Sequence, residues 1–151
     1  MLFDSFFNDL TDVFIRWYSC YTLSLFANEN TLVENSQITS RLDTELLQGY
    51  VDSLGKSIVE QMFTLYCQQA ALYLKDIEAA QIAQCEESWQ EHCHKMKGAS
   101  ASVGMSELHQ QLKVLEKASA TQQEKSSMLT ELKLTNQQAI NTFKTWLANC
   151  E

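Results

Sequence analysis

His92-Cys93-His94-Lys95-Met96-Lys97-Gly98-Ala99-Ser100-Ala101-Ser102-Val103-Gly104 is the stretch from which the fold reads outward. Wound as an α-helix at about 100° per residue, it gathers Trp89, Cys93, Met96, Ser100 and Val103 into one sector, which predicts a face turned to a core. His94 then points about 140° away from that sector, into solvent. Lys97 and Gly98 lie one turn beyond it on the same outer face, Ala101 two turns beyond, and Gln90 and Glu91 one turn before. A glycine inside a helix costs about 1 kcal/mol relative to alanine, and the residues after Gly98 are all small. The pattern predicts that something outside the helix comes close there.

Phosphoryl transfer through a histidine uses these parts. An exposed imidazole is mostly neutral at pH 7 and offers one ring nitrogen with a free lone pair for in-line attack on an acyl phosphate. Lys97, three residues on, is a mobile point charge that can reach phosphoryl oxygens carried on His94.

The run His94-Lys95-Met96-Lys97-Gly98, followed by small residues and Gly104, resembles the H-x-x-K-G signature of histidine-containing phosphotransfer (HPt) domains, and is similar to those attached to bacterial hybrid sensor kinases. The resemblance extends from about Leu42 to Cys150, including Leu46-Leu47-Gln48-Gly49-Tyr50 and Leu54-Gly55, and does not cover residues 1–41. It implies His94 as the phospho-acceptor, Lys97 as the cation that stabilises the phosphate and Gly98 as the residue that leaves room for a receiver domain. It also implies that the donor and acceptor are aspartates of receiver domains, one of them of a hybrid sensor histidine kinase. No cofactor is then expected in this chain, since the magnesium ion and acidic pocket belong to the receiver.

The chain has 151 residues, 45% of them hydrophobic and 20% charged, enough for one compact domain with a core. With no proline and only four glycines it favours long helices over hairpins, so an all-α fold is expected. A formal net charge of −8 argues against non-specific nucleic-acid binding and against adhesion to anionic lipid. Cys20, Cys67, Cys85, Cys93 and Cys150 form an odd set without regular spacing, and the start of the chain lacks a basic n-region. A reducing cytoplasm is expected, with the thiols mainly small core residues.

Two segments follow from the pattern: 1–41, an N-terminal helix and connector, and 42–151, the bundle domain. Within 3–26, Phe3, Phe7, Leu10, Phe14, Trp17, Tyr21 and Leu25 recur at helical spacing. Acidic residues interrupt this run, so neither a membrane span nor a basic interfacial helix is expected. Its apolar face is left to pack on the rest of the domain or on a second copy, as a homodimer arm.

Asn28 to Ser40 reads as a connector. A short helix follows, capped by Asp43 or Thr44, carrying Leu46, Leu47, Tyr50 and Leu54, and ended by Gly55. From Lys56 to about Gln84, Ile58, Met62, Leu65, Tyr66, Gln69, Tyr73, Ile77 and Ala80 define a long core helix whose stripe Val59, Phe63, Ala70 and Leu72 widen. Glu86 and Glu87 suit the first turn of the His94 helix, and Gly104 its left-handed C-cap. Ser106 opens a helix with Leu108, Leu112, Leu115 and Ala118. The last runs from about Ser126 to Asn149 on Leu129, Leu132, Ile140, Phe143 and Leu147. Together they predict an up-down-up-down four-helix bundle with a short capping helix at one end and an additional N-terminal helix.

Other readings of the same residues make different predictions. His94 taken alone is a solvated surface histidine, but Gly98 and the small residues after it weaken the helix, which decoration does not account for. His92, Cys93 and His94 look rich in metal ligands, yet adjacent helical positions diverge by about 100° and zinc on a helix uses i and i+4 partners. No metal site is therefore expected. A redox or metal module on Cys85, Cys93 and His92 lacks the spacing for it. The chain has no Walker-type or kinase glycine-rich loop, so neither ATP binding nor autophosphorylation is expected, only a phosphohistidine carrier. The alternative is a non-catalytic helical-bundle module that binds receiver domains, in which His94→Gln is harmless.

Overall fold

In a computed structural model, described for residue 38 and residues 40–150, every regular element is a helix. The expected helix over 3–26 and most of the connector lie outside the described residues. The helices are α1 (Thr44–Leu54), α2 (Lys56–Ile82), α3 (Glu86–Ser102), α4 (Ser106–Leu115) and α5 (Gln122–Ala148).

The termini follow local chemistry. Asp43 caps α1, its carboxylate accepting the N–H of Leu46 at 3.0 Å, and Gly55 ends it with φ +86°. The end of α3 is a Schellman closure, in which Met105 N–H reaches Ser100 C=O at 2.9 Å and Gly104 N–H reaches Ala101 C=O at 3.1 Å. Gly104 adopts φ +67° there. The same pair of bonds closes α2, from Cys85 to Ala80 and from Gln84 to Gln81, but the left-handed position is held by Gln84 at φ +54°.

Long-range contacts give the topology. Lys56 Nζ donates to the carbonyl of Cys150 at 2.6 Å, while Gln122 donates its side-chain amide to Gln81 C=O at 2.6 Å, so α2 and α5 run antiparallel. Trp89 Nε1–H donates to Leu115 C=O at 3.0 Å, which sets the start of α3 against the end of α4. Helices α2 to α5 therefore go up, down, up and down, as the apolar stripes predict. Leu47 of α1 lies against Gly104, and Asp43 N–H donates to Gly104 C=O at 2.8 Å, so the short helix caps the end where α3 turns into α4.

The core is built from Val59, Phe63, Tyr66, Ala70 and Ile77 of α2, Trp89, Cys93 and Met96 of α3, Leu108 and Leu112 of α4, and Leu132, Ala139 and Phe143 of α5. Phe63 and Phe143 stack with centroids 4.3 Å apart. Inside the same core Tyr66 O–H donates to Asn136 Oδ1 at 2.7 Å, a buried polar pair joining α2 to α5.

Two expectations are corrected. Of the α2 residues expected in the core, Ile58, Leu65 and Leu72 are 41%, 61% and 54% exposed. They lie about 100–140° round the helix from Val59 and Ile77, outside the arc that two neighbouring helices can cover. The last helix begins at Gln122, a turn before the expected Ser126, because Thr121 and Glu124 form a reciprocal capping box. That turn buries Lys125, which pairs with Glu86 and lies 5.2 Å from the centroid of the Trp89 ring. No helix among the described residues is long and apolar enough to cross a membrane.

Candidate functional site

Trp89, Cys93, Met96 and Ser100 are buried on one side of α3, as the sequence predicts, and this fixes the rotation of the helix about its axis. His94 is consequently turned outward, with its side chain 66% exposed. Lys97 lies one turn further along, and its carbonyl accepts two additional hydrogen bonds, from Ser100 Oγ at 2.8 Å and from His109 Nδ1 at 3.2 Å. The half-buried His109, expected at the surface, thus ties α4 to the backbone of the Lys97 turn.

Sequence reasoning missed Glu116, the residue after α4. One carboxylate oxygen lies 2.8 Å from His94 Nδ1 and the other pairs with Lys97 Nζ. A carboxylate only accepts, so Nδ1 of His94 carries the hydrogen, and in the neutral ring Nε2 holds the lone pair. The Lys97 ammonium, with His94 beside it, holds the Glu116 carboxyl below the usual carboxylate range. The sole sequence signal is an acidic residue just past the Leu108-Leu112-Leu115 stripe. It does not reveal a partner on another helix.

Gly98 is exposed, and a Cβ built on it meets nothing within 4 Å outside its own helical backbone. Among the described residues nothing packs on this position. Lys95 pairs instead with Glu91 at 2.6 Å, on the same helix. His92 is half-buried, as expected, its Nδ1 3.9 Å from Asp76 Oδ2. Burial pushes the Cys93 thiol up to about 12, so it is a core residue and a poor nucleophile. Cys85, by contrast, is exposed, and a hydrogen bond with Ser88 lowers its pKa. Among the described residues no group of three or more His, Cys, Asp or Glu side chains is placed to hold a metal ion.

The sequence model of the Hpt domain matches residues 61–142, which span α2 to α5 and include His94, Lys97, Gly98 and Glu116. This chain belongs to the Hpt domain family. Hpt domains carry phosphoryl groups in phosphorelays, exchanging them with receiver domains. Over 80 residues this Hpt domain is 30% identical to the aerobic respiration control sensor protein ArcB of Escherichia coli strain K12, and equally to the protein of that name from Shigella flexneri. The match covers 53% of this chain and 10% of each relative, so the chain spans about a tenth of their length. Two solved structures of the histidine-containing phosphotransfer domain of E. coli ArcB align with a TM-score of 0.67. One is 23% identical and covers 74% of this chain and 97% of that one; the other, a solution structure, is 25% identical and covers 79% and 97%. The bundle is therefore the Hpt fold.

Proposed function

We propose that this Hpt domain is a phosphorelay intermediate in which His94 is the phospho-acceptor. The donor is the phospho-aspartate of one receiver domain, such as that of a hybrid sensor histidine kinase. The acceptor is the aspartate of a second, in a response regulator. The observation that carries this reading is the hydrogen bond from His94 Nδ1 to Glu116 on an outward-facing ring, because it leaves the Nε2 lone pair as the nucleophile. Lys97 supplies positive charge within one helical turn of that ring, for the phosphoryl oxygens. Gly98, open on its outer side, lets the receiver approach. The receiver contributes the magnesium ion, and this chain contributes the nucleophile. A reducing cytoplasm suits the four free thiols among the described residues.

The test is transfer of labelled phosphate from several phosphorylated receivers to the wild-type protein and to His94→Gln, with acid lability of the product measured. An acid-labile product on wild type alone is expected. Equal labelling of both proteins moves the site elsewhere. Absence of labelling by donors that are competent toward another Hpt protein favours the non-catalytic bundle module.

A further inference from the structure

Ile58, Leu65 and Leu72 of α2 are exposed and spaced seven residues apart, which sets them on one line along the helix. Single solvated leucines are ordinary, but three at one angular position over four turns make a face. That face is also free of charge. Between Lys56 and Lys75 the sole charged residue is Glu60. Helical arithmetic sets Glu60 about 120–160° round from the three, on the side where Glu78 meets Lys133 of α5. Within about 60° of the line come Gln61 and Gln68 on one flank and Met62 and Gln69 on the other, and all three glutamines are exposed. An outer helix face normally carries ions, whereas this one offers apolar groups and neutral amides.

Nucleic acid and anionic lipid need cations, which the face lacks. It does match itself. Turned about a two-fold axis through Leu65, α2 lies antiparallel on α2 of a second copy. Ile58 then faces Leu72 of the second copy, Leu65 faces its own equivalent, Gln61 faces Gln68 and Met62 faces Gln69. Aliphatic groups meet aliphatic groups along the centre, and each Gln61 amide meets a Gln68 amide, which both gives and takes hydrogen bonds. Lys75 and Asp76 come level with residues 55 and 54 of the second copy, past the start of its α2, so no like charges meet in the seam. A contact between identical surfaces requires this self-complementarity.

We propose that this face of α2 is a weak dimer interface, occupied by a second copy of the chain lying antiparallel about Leu65. The seven-residue spacing supplies one apolar residue for every two turns, where a lasting coiled coil has two. The buried area stays below about 1,200 Å², so the pair is transient, formed at about 100 µM and dissociated at about 1 µM. The pairing does not depend on His94 carrying phosphate.

The experiment is equilibrium sedimentation of the full chain from about 1 to 500 µM, with wild type beside Leu65→Lys and Leu134→Lys. Leu134 is the matched control, since it is 58% exposed on α5, outside the seam. Leu65→Lys sets two ammonium groups against each other at the axis and is expected to weaken the dimer about tenfold or more. Leu134→Lys is expected to leave it unchanged, and circular dichroism checks that both variants keep their helices. The axis is located with Leu65→Cys in a Cys85→Ser background, which removes the exposed thiol. A residue on a two-fold axis cross-links to its own equivalent, so mild oxidation should give covalent dimer about fivefold faster than for Leu134→Cys in the same background.

Wild type that stays monomeric at about 500 µM overturns the dimer, and the face then belongs to a different protein. A dimer that Leu65→Lys leaves intact, or that Leu134→Lys weakens equally, overturns the choice of face and moves the contact elsewhere, residues 3–26 included. Cross-linking no faster at position 65 than at 134 overturns the two-fold axis at Leu65.

Discussion

At Gly98 the helix forgoes about 1 kcal/mol that alanine would supply, and nothing among the described residues occupies the space beside it. Gly98→Ala should therefore raise stability by about 0.5–1 kcal/mol in urea unfolding. In the same variant, loading by a phosphorylated receiver should fall more than loading by phosphoramidate, since only the larger donor needs the space. Glu116 gives a pH-dependent counterpart. Its carboxyl is held below its ordinary value of 4.5 in the folded protein, so the pairing contributes stability above that value and loses it as the pH falls through the lowered folded one. Wild type should be more stable than Glu116→Gln at pH 6, and the difference should shrink as the pH falls below 4.5. The two residues also differ in legibility. Gly98 stands out from its immediate neighbours, whereas Glu116 acquires meaning only 22 positions from His94.

At the scale of elements, the ends of α2 and α3 close with the same pair of hydrogen bonds, and only one of them carries a glycine. A Cβ on Gly104 would lie 3.0 Å from Leu47 Cγ in addition to the strain of φ +67°. Gly104→Ala should destabilise the fold by about 2 kcal/mol, combining the left-handed cost with displacement of the capping helix. Gln84→Gly should do the reverse and stabilise by about 0.5–1 kcal/mol, because φ +54° is unfavourable for a side chain. Thermal unfolding of both variants checks the pair. The α3 closure could be read from sequence because Gly104 follows an apolar stripe. Closure of α2 through Gln84 could not, since glutamine does not prefer the left-handed conformation and so does not mark it. The capping box of Thr121 and Glu124 was legible, but the polar run around it reads equally well as a loop.

For the whole molecule, the buried pair of Tyr66 and Asn136 is a polar contact inside an apolar interior, and it pins α2 to α5 at one register. Tyr66→Phe should cost about 1–3 kcal/mol by leaving Asn136 unsatisfied, and adding Asn136→Leu should recover part of the loss. Denaturant midpoints of the single and double variants measure both effects. The sequence by itself determined that the protein is helical, that α3 buries Trp89, Cys93, Met96 and Ser100, and that His94, Lys97 and Gly98 share its outer face. All of these depend on contacts within one or two helical turns, which periodicity records. Only the tertiary structure decided which apolar arc of α2 is inside, because Val59, Phe63 and Ile77 compete with Ile58, Leu65 and Leu72 on equal hydrophobicity until neighbouring helices cover one side. It alone brought Glu116 to His94 and Lys97, since that contact depends on where α4 ends against α3, and no local pattern encodes a distance between helices.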